Sequence, residues 1–283
     1  MRDRRRTLYL SFLPLGLWFF LFLFVPLVFV FVESLQADGG ISFGAYLRVV
    51  TKKLYRESLL NSLLLSSVTS LLGTVIGLPL SYAVFRMGRK GQSLMTSLLA
   101  LPLTFSGLVI AYGCIVSLGA SGFFTMLLSR WFGINALDFS SFLFTWKGLV
   151  VAYLYFLVPR MILTMIAAWS NADWTLLDAA ESLGASRPAT FFRVLLPMLM
   201  PSVLAGSSLL FAVSMGAFGT AFALSGTGVN IMPLLIYTQT SDITVNISEA
   251  DALAITLAVV TVLVVLIYES LSLRKVPGVF SES

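Results

Sequence analysis

The chain is predicted to be an all-α, polytopic membrane protein with about six transmembrane helices, and three observations predict it. Apolar residues make up 58% of the 283 and charged residues only 11%, about half the usual share in soluble proteins. Six stretches are long enough to cross a bilayer, which takes roughly 20 residues. They lie near Leu8–Val32, Leu59–Phe85, Ser93–Leu118, Trp146–Trp169, Met198–Leu224 and Ala250–Leu273. Basic residues gather in the connections between these stretches, where they act as determinants of topology. The formal charge of +5 therefore speaks for orientation in a bilayer and not for a nucleic-acid partner.

The first stretch follows Arg2-Asp-Arg-Arg-Arg6. It is too long for the core of a signal peptide, and no small-residue cleavage site follows it, so it reads as a retained helix. The chain then divides into an added N-terminal helix and outer segment, 1–56, and a five-helix core, 57–275. The second stretch is rich in small polar residues, among them Asn61, Ser66, Thr69, Gly73 and Gly77. The last two have the spacing that lets membrane helices touch closely. Asn61, together with Ser214 of the fifth stretch, reads either as helix packing or as the lining of a wet cavity. Arg86–Gly91 is a short basic turn. Within Ser121–Thr145, Phe123–Trp131 reads as a short interfacial helix, with Trp131 and Trp146 at headgroup depth.

The fourth stretch holds Arg160, directly after Pro159 and close to Tyr153 and Tyr155. An arginine inside a membrane is costly and marks function by default. Arg160, Tyr153 and Tyr155 are thus candidates for a translocation path. The alternative is that Arg160 bonds carbonyls freed by Pro159. Ser225–Glu249, without Lys or Arg, is expected to cap or re-enter the outer face. Glu249 and Asp251 are expected to be solvated charges at the start of the last helix.

Counting Lys and Arg sets the orientation. With the N-terminus inside, Arg2, Arg4, Arg5, Arg6, Arg86, Arg89, Lys90, Arg187, Arg193, Arg274 and Lys275 are cytoplasmic. Arg48, Lys52, Lys53, Arg56, Arg130 and Lys147 are outside. Both termini are expected inside, as is the connection 170–197. The Arg48–Arg56 cluster opposes this, but Arg2–Arg6 lies against the first helix, which usually dominates.

Absent residues exclude whole classes of chemistry. There is no histidine, and Cys114 is the single cysteine. The usual general base, a multi-cysteine metal site and an internal disulfide are excluded. No Gly-x-x-x-x-Gly-Lys-Ser/Thr loop occurs, so the chain is not its own ATPase by that mechanism. No Asp or Glu lies deep in any stretch and no internal repeat is visible, which disfavours the alternative of an ion-gradient-driven secondary carrier or channel.

The connection 170–197 is polar and helix-forming between two apolar stretches. Thr175-Leu-Leu-Asp178 fits a capping box. Gly184 ends the helix, since glycine enters the left-handed region without a clash. Ser186 is placed to cap a next helix, with Pro188 in its first turn. Pro197 marks the start of the fifth transmembrane segment. Leu176, Ala180 and Leu183 share one face.

Asp178-Ala179-Ala180-Glu181-Ser-Leu183-Gly184, followed by Leu196-Pro197 thirteen residues after the glycine, resembles the Glu-Ala-Ala loop of permease subunits in binding-protein-dependent ATP-binding-cassette (ABC) importers. Asp178 stands where that family has Glu, one methylene shorter. The resemblance implies the type I importer permease fold and a coupling role for Asp178, Ala179, Ala180, Glu181, Leu183, Gly184, Ser186 and Pro197. It implies an ATPase dimer that binds ATP and Mg, a second permease subunit, an extracytoplasmic solute-binding protein and a small solute. This chain would be non-catalytic and bind no cofactor or metal, in a bacterial inner membrane. The added first helix, Gly216-Ala-Phe-Gly219 and Pro233-Leu-Leu-Ile-Tyr resemble the polyamine, ferric-iron and phosphonate branch. That implies a polyamine first, and phosphonate, ferric iron or another small solute otherwise. An Arg160 in the path would favour an anion.

Overall fold

The computed structural model describes residues 14–37, 40–226, 228–241 and 246–274. The Arg2–Arg6 cluster and Lys275 lie outside them. Six stretches among the described residues are long and apolar enough to cross a membrane, one of them, Gly107–Phe132, made of two shorter helices.

Helix α1 spans Pro14–Ser34 and contains a wide π turn at Phe20–Phe24. It rests against the last helix and otherwise exposes its aromatic surface. Two short antiparallel strands, Gln36–Ala37 and Gly40–Ile41, lead to α2, Gly44–Thr51. The long α3, Lys53–Phe85, follows after the extended backbone of Lys52. Next come α4, Arg89–Thr104, and α5, Gly107–Leu118.

The expected single span Ser93–Leu118 is thus broken. Phe105 and Ser106 are extended, and the Ser106 hydroxyl accepts from the Val109 amide to start α5. Serine at a cap favours starting a helix over continuing one. The chain then forms α6, Phe123–Phe132, where a short helix was expected over Phe123–Trp131, and α7, Ala136–Ser141; α5 and α6 together make up the apolar stretch Gly107–Phe132.

Helix α8, Trp146–Ser170, is the centre of the bundle. Its Leu149, Ala152, Tyr153, Leu157, Met161 and Met165 are fully buried, and α3, α4 and α10 pack around it. Close packing here depends on small residues. A Cβ on Gly77 would lie 2.7 Å from Met161 Cβ, and one on Gly73 would lie 2.8 Å from Leu210 Cδ2.

After α9, Thr175–Ser182, the chain enters α10. This rod comprises Arg187–Thr190, a π turn at Phe191–Leu195 and Leu196–Met215. The expected start at Met198 is corrected: Pro197 lies within the rod. A proline clashes with the carbonyl four residues back. The wide turn relieves that clash, with the Leu196 amide donating to the Phe191 carbonyl. The far end is corrected too. The helix stops at Met215, and Gly219–Ser225 is a separate short helix, α11.

Helix α12, Met232–Ser241, caps that end of the bundle, its first residues buried. Helix α13, Ile247–Arg274, closes the fold against α10, α12 and α1.

Candidate functional site: an exposed helix unit and a groove at the helix breaks

Two places carry the candidate residues. The first is α9, at the end of the bundle where α3 and α8 finish. The carboxylate that organises its start belongs to Asp173: Oδ1 accepts from the Thr175 amide at 3.0 Å and from the Thr175 hydroxyl at 2.6 Å. This corrects the expected Thr175–Asp178 capping box. An Asx turn two residues ahead competes successfully with it.

The other end of α9 follows expectation. Gly184 has φ +82°. The Ala185 amide donates to the Ala180 carbonyl at 3.1 Å and the Gly184 amide to Glu181 at 3.0 Å. These are the two bonds of a Schellman cap. The Ser186 carbonyl accepts from the Thr190 amide in the next helix.

Helix α9 presents most of its side chains to the surroundings. Asp178, Ala179, Glu181 and Ser186 are exposed, Ala180 is half-buried, and Leu183 is 89% exposed. Pro197, which the sequence groups with them, is inside α10, where Phe192 lies one turn away. Leu177 faces inward against the main core.

What holds α9 is an aromatic stack that sequence reasoning missed. The Trp174 ring lies parallel to Phe85, with centroids 5.6 Å apart and planes at 5°, and stacks on Trp169 at 6.3 Å. Tyr82 also packs against Trp169, with ring centroids 5.1 Å apart. Trp174 Nε1 donates to the Trp169 carbonyl at 3.2 Å, and Trp169 Nε1 to Ser81 Oγ at 2.9 Å. Each such aromatic pair adds about 0.5–1.5 kcal/mol beyond area burial. The signal was present in the sequence as two tryptophans five residues apart, spanning the end of a transmembrane stretch.

The second place is a groove at the helix breaks. Arg160 is partly exposed and lines a cavity of about 240 Å³ between the ends of α4 and α10, the starts of α5 and α11, and α8. Tyr155 lines an adjoining apolar cavity of about 480 Å³ with Cys114 and Ser117. Phe105 and Ile110 border both. Arg160 and Tyr155 are thus brought to one continuous face.

The other path candidates are not. Tyr153 is fully buried, and its hydroxyl donates to the Ala217 carbonyl at 2.6 Å, satisfying backbone left between α10 and α11. Ser214 is buried and shares a hydrogen bond with Thr69 at 2.9 Å, while Thr74 and Ser207 form a second such pair at 2.8 Å. The packing reading holds for Ser214, because hydroxyls between apolar helices find each other. Asn61 donates to the Asn230 carbonyl at 3.0 Å, beside the Ser62 hydroxyl that accepts from Met232. It pins the start of α12 and stands far from Arg160 along α3.

Glu249 also departs from expectation. It is 4% exposed and not solvated. Lys52 Nζ lies 2.8 Å from Oε2, Arg48 Nε lies 2.6 Å from Oε1 off the line of a hydrogen bond, and the Tyr55 hydroxyl donates to it. A buried carboxylate demands such partners. Glu249 in turn holds the Lys52 ammonium above the usual lysine range, chiefly through their hydrogen bond.

Comparison with known proteins is specific. No protein-family model matches the chain. The spermidine/putrescine transport system permease protein PotB of Haemophilus influenzae is 30% identical over 258 residues, covering 89% of each chain. Its Escherichia coli K12 counterpart is 28% identical over 261 residues, covering 89% of this chain and 92% of that one. The molybdenum transport system permease protein ModB of Escherichia coli K12 is 35% identical over 163 residues, 58% of this chain and 69% of that one. Among solved structures, a bacterial ABC transporter involved in import of the acidic polysaccharide alginate matches with TM-score 0.77 at 20% identity, covering 96% of both chains. The chain therefore belongs to the permease subunits of ABC importers, with the type I permease fold.

Proposed function

We propose that this chain forms half of a solute path across the bacterial inner membrane and receives the ATPase stroke through α9. The single observation behind this is the α9 unit itself. It is a Schellman-capped helix, exposed on its outer surface and clamped by Trp174 to the ends of two transmembrane helices. Such a unit docks as a helix in a groove and passes displacement to α3 and α8. Asp178, Ala179, Ala180, Glu181, Leu183, Gly184 and Ser186 form the contact, and Pro197 shapes the rod behind it.

The partners are an ABC ATPase dimer carrying ATP and Mg, a second permease of the same or related sequence, and an extracytoplasmic solute-binding protein. The alginate transporter has been solved in complex with an alginate pentasaccharide-bound periplasmic protein, which supports the last of these. This chain is non-catalytic and holds no cofactor. Residues 57–275 are the core and 1–56 an addition to it. The α9 end faces the cytoplasm, as do both termini. The named relatives support a small charged solute, a polyamine for PotB and molybdenum for ModB; phosphonate and ferric iron belong to the same range. Outward and inward openings are two packings whose balance ATP shifts.

Ala180→Trp and Gly184→Val test the reading. A β-branched residue in the left-handed turn costs about 1–2 kcal/mol or more, and an indole does not fit where a methyl packs. Both variants are expected to reach the membrane, lose the co-purifying ATPase and abolish uptake. Normal uptake with normal ATPase retention in both would overturn the coupling role of α9.

A further inference from the structure

We propose that Arg160 is the recognition element for a small oxyanion in the path, so that the transported solute is an anion. The inference rests on the importer reading above and names its substrate class.

A guanidinium offers five donors and accepts nothing. Among the described residues, the Arg160 guanidinium has no hydrogen-bond or ion-pair partner: the ion pairs there join Arg48 and Lys52 to Glu249, and Lys53 to Glu57. It is not spent on carbonyls near Pro159. The Arg160 carbonyl instead accepts from Thr164, in the ordinary manner of a helix. The cavity it lines contains no Asp or Glu, and its one hydroxyl, on Thr220, is engaged with the Gly107 carbonyl at 3.1 Å. The end of α4 and the start of α5 both border the space, so their opposed partial charges offset each other. Among the described residues that line the cavity, the guanidinium carries the only formal charge.

A cationic solute would meet an uncompensated like charge here. An oxyanion would supply the missing acceptors, two at a time in the fork geometry that arginine favours. The cavity volume of about 240 Å³ equals that of roughly eight waters. It admits a phosphate, a phosphonate or a molybdate. It shares Phe105 and Ile110 with the apolar cavity beside Tyr155.

The test uses the complete complex of this chain with its ATPase, its second permease and its binding protein, in proteoliposomes. Spermidine, phosphate, 2-aminoethylphosphonate and molybdate are offered separately, and the ligand that the purified binding protein retains is identified by mass spectrometry. An anionic retained ligand and uptake of at least one oxyanion are expected, with no spermidine uptake. Arg160→Met should lower that uptake by about ten- to a hundredfold, the loss expected for a charge-assisted bond. Arg160→Lys should recover part of it, and the complex should stay assembled in both. A cationic or neutral retained ligand, spermidine uptake, or unchanged uptake in Arg160→Met would each overturn the inference. So would dissociation of the two permeases in Arg160→Met, which would show that the arginine pairs with the partner subunit. Failure of the importer reading looks different: no ATPase co-purifies and no solute gives ATP-dependent uptake.

Discussion

Trp174 joins an exposed helix to the membrane bundle through three rings. Its indole is half-buried, stacked on Phe85 and Trp169, and bonded to the Trp169 carbonyl. Trp174→Ala should cost about 3 kcal/mol locally, the low end for a large aromatic, and free α9 to move without α3 and α8. The expected outcome is an assembled complex that hydrolyses ATP yet transports at least about tenfold more slowly. Trp174→Phe keeps the stacking face and should retain most uptake. Measuring ATP hydrolysis and uptake in one preparation decides it; unchanged uptake in Trp174→Ala would show that the stack transmits nothing. At this scale Gly184 was legible in the sequence, because only a residue without Cβ suits φ +82°. The Trp174 stack was legible only in part: Trp169 and Trp174 are five residues apart, but Phe85 and Tyr82 come from α3, and that distance in sequence hides their contact.

Between elements, glycines and buried charge decide how helices meet. Gly77 packs against Met161 with no room for a side chain, so Gly77→Leu should force α3 from α8. The expected result is loss of folded protein in detergent, read by size-exclusion yield, since overpacking costs about 1–3 kcal/mol and often more for several added carbons. The Glu249 cluster ties α2 and the start of α3 to α13. Breaking a fully buried pair costs about 3–5 kcal/mol. Here Arg48 and Lys52 are 41% and 46% exposed, so Glu249→Ala should cost nearer ~2 kcal/mol. The drop in thermal midpoint should be several degrees, and pairing it with Lys52→Met should give less than the sum of the single losses. Lys52 is raised in the folded state, so its contribution is complete below the ordinary lysine range and lost only as pH climbs through the raised value. Melting at pH 7 and pH 8 should therefore agree at this site. The glycine spacing was readable from sequence. The burial of Glu249 was not, because an acidic residue in a helix's first turn looks the same solvated or paired.

For the whole molecule the open prediction is sidedness. α9 and the Arg86–Lys90 turn share one end, while Arg48, Lys52 and Glu249 lie at the other. The basic cluster that opposed the cytoplasmic placement of α9 includes two residues held by Glu249, which gives them a packing reason to be there. With Cys114 replaced by alanine, a cysteine at Ser186 should resist an impermeant reagent in intact cells and react in inverted vesicles, and one at Gly228 should behave in the opposite way. Labelling of the Ser186 position from outside would overturn the orientation and the docking role of α9 together.

The order of the helices, their membrane setting and the small-residue contacts of α3 follow from composition and local pattern, because a bilayer admits few backbone solutions and hydropathy reports them directly. The helix–glycine unit at Asp178–Gly184 is likewise local, written in consecutive residues. Tertiary structure decided much of the rest. The break at Phe105–Ser106 and the end of α10 at Met215 carry only short local signals, Ser106 and Gly216, and Tyr153 and Thr220 hold them by bonding backbone carbonyls at the two breaks from other segments. The same long-range packing separates Arg160, which faces open space, from Ser214 and Tyr153, which do not: a residue type states what a side chain is able to bond, and only the fold determines which partner reaches it first.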